Sequence, residues 1–339
     1  MDREQEELQF LNFFGICKES TNIIFKWSKI FTKITFTLII PLSCIFLANQ
    51  GFSTFITNKI ITNATTLDYI PQGSAAYNKI SNLITSEWTA FWLIKLAYFM
   101  FLLIFSLLCT SAIVYTVACI YTGKEITFKK IMSVVPKVWK RLMVTLLWNF
   151  AIMFAYNFVW FIISMIAILI WLILFFPNGE VVGNVGSCIM LLLYLIGFTY
   201  ISIIWQLASV VSVLEDTYGI QAMTKSKDLI KGKMGISSAM FLIFTICLVG
   251  IEMLFQQSEV IDWRINGVLV KLGYGILCLL LLTLLFLFGL VVQTVIYFVC
   301  KSYHHENIDK SSLADHLEGY LGEYIPLNSK NIQLEEYHV

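Results

Sequence analysis

Histidine, proline and charge are all scarce in this chain. Of its 339 residues only 4 are His, 5 are Pro and 13% are Asp, Glu, Lys or Arg. A transition-metal centre needs three or four convergent ligands, and a hydrolytic site needs an acid, base and nucleophile within reach of one another. No HExxH, GxSxG, phosphate loop, Gly-rich dinucleotide turn or paired aspartate-rich motif of the prenyltransferase kind occurs. The eight cysteines contain no CxxC pair, and Cys44, Cys109, Cys119, Cys247 and Cys278 fall in apolar stretches as filler. No catalytic residue, cofactor or metal ligand is therefore assigned, and an enzyme is the least supported class. A net charge of +1 with no basic face argues against a nucleic-acid partner.

Apolar residues fill the space that charge vacates. The chain is 58% hydrophobic and 15% aromatic, with a mean hydropathy of +0.78. That composition belongs to a polytopic membrane protein. A hydrocarbon core about 30 Å thick needs about 20 apolar residues per helix, and six stretches qualify: 31–49, 88–121, 142–176, 188–213, 236–256 and 267–300. The expected fold is an all-α bundle of six transmembrane helices over 31–300, with Pro41 kinking the first. A segment 1–30 precedes the bundle and a tail 301–339 follows it. The opening MDREQEELQF is too charged for a cleavable signal, which makes the first span the signal anchor.

Lys and Arg orient the bundle. Segment 1–30 and the start of the first span, the connections 123–141 and 214–235, and the tail together hold 18 of the 23 basic residues. The positive-inside rule places these, and both termini, in the cytosol. The connection 50–87 is then lumenal, and it holds the sequon Asn63-Ala64-Thr65, a candidate glycosylation site. Endomembrane or plasma membrane both fit. The isolated lumenal acids Asp68, Glu180, Glu259 and Asp262 read as solvated surface. Cys17 and Cys300 lie at the cytosolic membrane surface, where palmitoylation is a candidate modification.

Three cytosolic segments share a texture: ESTNIIFKWSKIFTKI, FKKIMSVVPKVWKRLM and MTKSKDLIKGKMGISS. Each sets an apolar pair after a small polar residue, at Asn22-Ile23-Ile24, Ser133-Val134-Val135 and Asp228-Leu229-Ile230, then basic residues and a span. They read as amphipathic interfacial helices with the apolar side in lipid and the lysines toward anionic headgroups. One reading is three diverged repeats of interfacial helix plus two spans; the other is ordinary amphipathic connections. In the tail, His304, His305, Glu306, Asp309, Asp315 and His316 supply ligand types. Adjacent His side chains on a helix diverge by about 100°, so a solvated tail is preferred to a metal site. SSLADHLEGYL reads as a helix capped by Ser311 or Ser312, whose Leu313, Leu317 and Leu321 would dock a protein partner or the cytosolic helices. Tyr324-Ile325-Pro326-Leu327 has the form of a tyrosine-based sorting signal.

ESTNIIFKWSKIFTKITFTLIIPLSCIFLA, SEWTAFWLIKLAYF, VYTVACIYTGKEITFKKIMSVVPKVWKRLMVTLLW, FAYNFVW and FVCKSYHHENIDKSSLADHLEGYLGEYIPL resemble a family of plant six-span transmembrane proteins of unassigned function. More loosely, SVLEDTYGIQAMTKSKDLIKGK, with Glu215, Gly219, Ala222, Ser226 and Gly232 in order, is similar to the cytosolic motif in the membrane domain of some bacterial glycerophosphodiester phosphodiesterases, a non-catalytic part. The resemblance implies a fold and a plant endomembrane setting, and no reaction.

Polar residues inside the spans are the remaining functional signal. At about 1.5 Å per residue from the cytosolic helix ends, Lys95 lies roughly 39 Å and Lys271 roughly 44 Å along, within snorkelling reach of the lumenal interface. Glu252 lies only about 25 Å along, inside the core, and must face the bundle, pair with a cation or be protonated. Lys271 and Lys95 are its candidate partners. With Asn149, Asn157 and Gln206 these residues mark a candidate path for a carrier or lipid-handling protein. The alternative is a non-catalytic scaffold or adaptor that works through its cytosolic helices and tail.

Overall fold

In the computed structural model the described residues are 9–124, 126–175, 180–260 and 263–304, with side chains described outside 172–184 and 258–269. Helices account for nearly all of them, and no strand occurs among them. In chain order they are α1 (Phe13–Lys26), α2 (Ser28–Asp68), α3 (Ala75–Thr122), α4 (Phe128–Phe175), α5 (Glu180–Leu214), α6 (Ile220–Leu229), α7 (Met234–Val260) and α8 (Trp263–Tyr303). Six of these, α2 to α5 with α7 and α8, are long and apolar enough to cross a membrane, as the six apolar stretches require.

Helix α2 is α-helical over Ser28–Ile34, turns through a π-helical segment at Thr35–Ile39, and resumes at Ile40–Asp68. The π turn immediately precedes Pro41. A proline has no N–H and its ring crowds the carbonyl four residues back. One wider turn, closed by the Ile40 N–H bonding to the Thr35 carbonyl, makes room for that ring. What the structure shows beside Pro41, where a kink was expected, is this π-helical segment.

The connection assigned to 50–87 is mostly helix. Helix α2 runs on to Asp68 and α3 begins at Ala75, which leaves Tyr69–Ser74 as the turn. Glu87 of α3 holds the two helices at this end: it accepts both hydrogen bonds of the Asn63 amide, at 2.8 and 3.0 Å, and pairs with Lys59 at 3.1 Å. Polar residues are compatible with helix wherever such partners exist, and hydropathy alone does not register them.

The first and third amphipathic segments form separate helices, α1 and α6, whereas the second is continuous with the third span in α4. Each packs one apolar stripe against protein, while Phe25 of α1 and Ile220 of α6 stay exposed. Ile23, Val134, Val135, Leu229 and Ile230 are all buried, and so is the stripe Ile131, Val134, Val138 and Leu142 at helical spacing. Lys129, Lys137 and Lys140 stay exposed. Periodicity reports one apolar face of a helix and not what covers it.

The chain divides into two compact units. One comprises Met1–Asn12, Ser111–Lys233 and Gln293–Val339; the other comprises Phe13–Thr110 and Met234–Val292. The second is centred on Leu47, Ile251, Cys278 and Leu282, with Phe46 and Phe286 edge to face at 5.9 Å. In the first, burial concentrates at the helix ends joined by the Lys-rich connections, here called the basic end. Ser111 to Cys119 are nine consecutive buried residues, so that helix end is enclosed on every side.

Candidate functional site

The basic end of the first unit is built around Glu215. Helix α5 ends at Leu214, and the chain reverses through Gly219, whose φ of +64° lies in the left-handed region that a side chain disfavours. A Cβ there would also meet the Trp148 indole at 3.1 Å. The Gly219 N–H donates to Thr145 Oγ1 of α4 at 2.8 Å, and the Thr145 hydroxyl lies 2.7 Å from that of Ser212 on α5. The reversal turns α6 back so that Lys225 reaches Glu215 Oε2 at 2.6 Å.

Helix α8 supplies the other half. Tyr297 donates its hydroxyl hydrogen to Glu215 Oε1 at 2.6 Å, and Lys301, one turn on, reaches the same oxygen at 2.9 Å. Gln293, one turn earlier, donates to the Gln206 carbonyl and to Ser209 Oγ of α5. Residues 293, 297 and 301 therefore form one polar stripe, spaced by four, that reads α5. The side chains of Glu215 and Lys301 are 14% and 17% exposed, so the pair is withdrawn from water. Burial pushes the Glu215 pKa up. The hydrogen bonds from Lys225 and Tyr297 and the charge of Lys301 overcome that and hold the carboxyl below its ordinary value. One carboxylate between two ammonium groups and a phenol has no reactive group left over; what it does is fix α5, α6 and α8 in register.

A second ring of contacts closes the turn after α6. Gly232 has φ +90° and lies so close to the Tyr303 ring that no Cβ fits. Lys233 sits over the same ring at 5.3 Å, and His304 Nε2 lies 3.0 Å from the Lys231 carbonyl. Asp228 and Lys231 pair at 2.7 Å, and each draws the other's pKa toward the charged form, Asp228 down and Lys231 up. The motif residues Glu215, Gly219, Ala222, Ser226 and Gly232 are thus one carboxylate hub, two positive-φ glycines and two small buried contacts of α6.

The candidate intramembrane residues are placed differently. Lys95 donates to Asn49 Oδ1 at 3.1 Å and Ser53 Oγ at 2.6 Å on α2, and lies 5.4 Å from the Phe91 ring centre. Glu252 is half-buried on α7 beside the core residue Ile251, within electrostatic range of Tyr98, and makes no ion pair among the described residues. The expected Lys95 partner is occupied by two neutral oxygens instead, because Asn49 and Ser53, one turn apart on α2, face it. Lys271 is half-buried on α8. Asn149 is buried with its side-chain oxygen unbonded. Asn157 accepts from the Tyr194 hydroxyl at 3.0 Å and donates to the Met153 carbonyl, while Gln206 contributes its carbonyl to Gln293. No hydrogen bond joins any two of Lys95, Glu252, Asn149, Asn157 and Gln206. Lys95, Glu252 and Lys271 belong to one unit and Asn149, Asn157 and Gln206 to the other.

Of the modification candidates, Asn63 lies inside α2 with its amide on Glu87. Cys300 is fully buried, out of reach of an acyl donor in this arrangement; Cys17 is half-buried on α1, and burial raises its thiol pKa. The tail candidates His305, Glu306, Asp309, Asp315, His316, the segment from Ser311 to Leu321, and Tyr324 to Leu327 lie outside the described residues. Sequence reasoning missed the Glu215 network. Its signal was the spacing of Gln293, Tyr297 and Lys301 in an otherwise apolar span, together with the acids Glu215 and Asp216 at a helix end among lysines.

The chain belongs to the family described as a domain of unknown function (DUF8558), which matches residues 1–337. No curated protein and no solved structure matches it.

Proposed function

We propose that this integral membrane protein is a non-catalytic scaffold or adaptor, held by its six spans and acting through the basic end, with both termini cytosolic. The observation that supports this reading is the Glu215 network. The charged residues that a binding or catalytic site would use are instead engaged with one another, Lys225 and Lys301 both on Glu215, and hold three helices together. Two of the residues proposed for a carrier path are likewise engaged locally: Lys95 with Asn49 and Ser53, Asn157 with Tyr194. In this reading the exposed lysines of α1, the start of α4 and α6 meet anionic headgroups at roughly 1 kcal/mol each, and the tail is the surface for a protein partner. The plant endomembrane setting rests on the family resemblance alone.

A carrier is the second reading, and Glu252 is the observation that favours it, since an acid in a span with no ion pair among the described residues is expensive unless it is used. Cysteine accessibility separates the two. In a background lacking the native cysteines, a scaffold predicts that Tyr98→Cys and Asn149→Cys resist a membrane-impermeant thiol reagent from both sides. Labelling of both positions, with loss of substrate movement in Glu252→Gln, would establish the carrier. A glycan at Asn63 would replace one of the two amide hydrogens now bonded to Glu87, so at most one of those bonds survives glycosylation. Glycosidase sensitivity that vanishes in Asn63→Gln would show that the lumenal assignment holds and that the hairpin accepts that loss.

A further inference from the structure

In the second unit Lys95 is a half-buried cation held by neutral groups only. Its ammonium donates to Asn49 Oδ1 at 3.1 Å and to Ser53 Oγ at 2.6 Å. The Ser53 hydroxyl hydrogen is turned onto the Asn49 carbonyl, which leaves its oxygen to accept from Lys95. An ammonium has three donors, so one remains. Among the described residues no carboxylate pairs with it. Glu87, two turns nearer the 69–74 turn, is taken by Asn63 and Lys59, and Glu252 makes no ion pair. A cation withdrawn from water without a countercharge is costly.

The height of this group says where a countercharge would come from. At about 1.5 Å per residue, Asn49 and Ser53 lie about 24 and 30 Å along α2 from Lys33. The hydrocarbon core is about 30 Å thick, so with Lys33 at one headgroup level the Lys95 ammonium reaches the other. The neighbouring aromatic residues mark the same level. Trp88, Phe91 and Trp92 form an edge-to-face chain with ring centres 5.8 and 5.9 Å apart. Trp88 and Trp92 are exposed, as are Phe52 and Phe55 of α2, and Trp gathers at membrane–water interfaces. Leu96 and Met100, deeper along α3, are exposed as well and present apolar surface for an acyl chain.

We propose that Lys95 binds the phosphate of a phospholipid in the leaflet on the side of the 69–74 turn, its third N–H donating to a phosphate oxygen. That hydrogen bond is charge-assisted and supplies the negative charge that Asn49 and Ser53 lack. Trp92 flanks the glycerol, and Leu96 lies along the chain. Because the phosphate is what is recognised, choline and glycerol headgroups serve alike. The proposal requires membrane integration and is the same for a scaffold or a carrier.

The test uses the full-length protein in dodecyl maltoside micelles, doped at equal mole fraction with phosphatidylcholine, phosphatidylglycerol or a diacylglycerol of the same acyl chains. The thermal unfolding midpoint is read, and each phospholipid is expected to raise it about 3 °C more than diacylglycerol does. In Lys95→Met that increment should be smaller by about the same amount, while Lys79→Met, at an exposed lysine of the same helix, should keep it. Asn49→Asp decides the matter even where Lys95→Met fails to fold. It sets a carboxylate beside the ammonium, so it should raise the midpoint in plain micelles and reduce the phospholipid increment as Lys95→Met does. An increment that survives Asn49→Asp, or one that sodium phosphate reproduces without lipid, overturns the proposal. Alkaline extraction of membranes reads integration separately, so that a failed lipid effect is distinguished from a failed membrane reading.

Discussion

The two halves of the α4–α5 pair are packed in opposite ways. At the basic end, Leu142, Thr145, Leu146 and Asn149 of α4 and almost every residue from Ser202 to Leu214 of α5 are buried. In the far half, Phe154, Phe158, Phe161 and Ile166 of α4 and Leu192 and Ile196 of α5 are all more than half exposed. The buried half is rich in small and hydroxyl side chains, among them Ala208, Ser209 and Ser212; the exposed half carries Phe, Ile and Leu. Lipid is as apolar as leucine, so a bilayer gives large side chains no reason to leave its surface, and helices close only where small residues and polar clips permit. In the far half the clip is a cluster of Tyr156, Trp160 and Tyr194, with Tyr156 donating to the Tyr194 carbonyl at 2.7 Å.

This contrast ranks substitutions. Glu215→Ala should have the largest effect, about 3 kcal/mol in unfolding experiments in detergent, because it strands Lys225 and Lys301 in a poorly hydrated site. Glu215→Gln should lose less. The same carboxyl sets a pH dependence. Its folded pKa lies below the unfolded value, so its stabilisation is complete above the ordinary carboxylate pKa of about 4.5 and disappears as pH falls through the lower folded value. Acid titration of wild type against Glu215→Gln, with the two curves converging on acidification, checks the sign. Gly232→Ala comes next, at about 2 kcal/mol, from its positive φ and the displaced Tyr303 ring. Tyr156→Phe in the far half should cost only about 0.6 kcal/mol. Phe158→Leu, exposed to lipid, should lie within about 0.5 kcal/mol of wild type. A far-half substitution that matched Glu215→Ala would end the distinction between the halves.

What could be read from the sequence follows the same division. Span number and the boundaries near Thr122, Leu214 and Tyr303 were legible, because charge and hydropathy change sharply there. The exposed Phe158 and the buried Val134 look alike in sequence, since both are apolar at helical spacing and the solvent on one side is itself apolar. The role of Glu215 was illegible for another reason. Lys225 and Lys301 were counted as orienting charge, which they also supply, and only three-dimensional proximity shows that they share a carboxylate. The polar residues of 50–87 concealed a continuous hairpin because Lys59, Asn63 and Glu87 satisfy one another.

That hairpin has a consequence of reach. At about 1.5 Å per residue, α2 from Lys33 to Asp68 measures about 50 Å against a hydrocarbon core of about 30 Å. Standing upright, the pair would hold the turn at 69–74 about 20 Å clear of the lipid, propped by the Asn63–Glu87–Lys59 contacts. The turn is then a short mast. An epitope inserted there should be bound by antibody without detergent, once the compartment it faces is opened, and a fluorophore there should escape quenchers confined to the acyl chains.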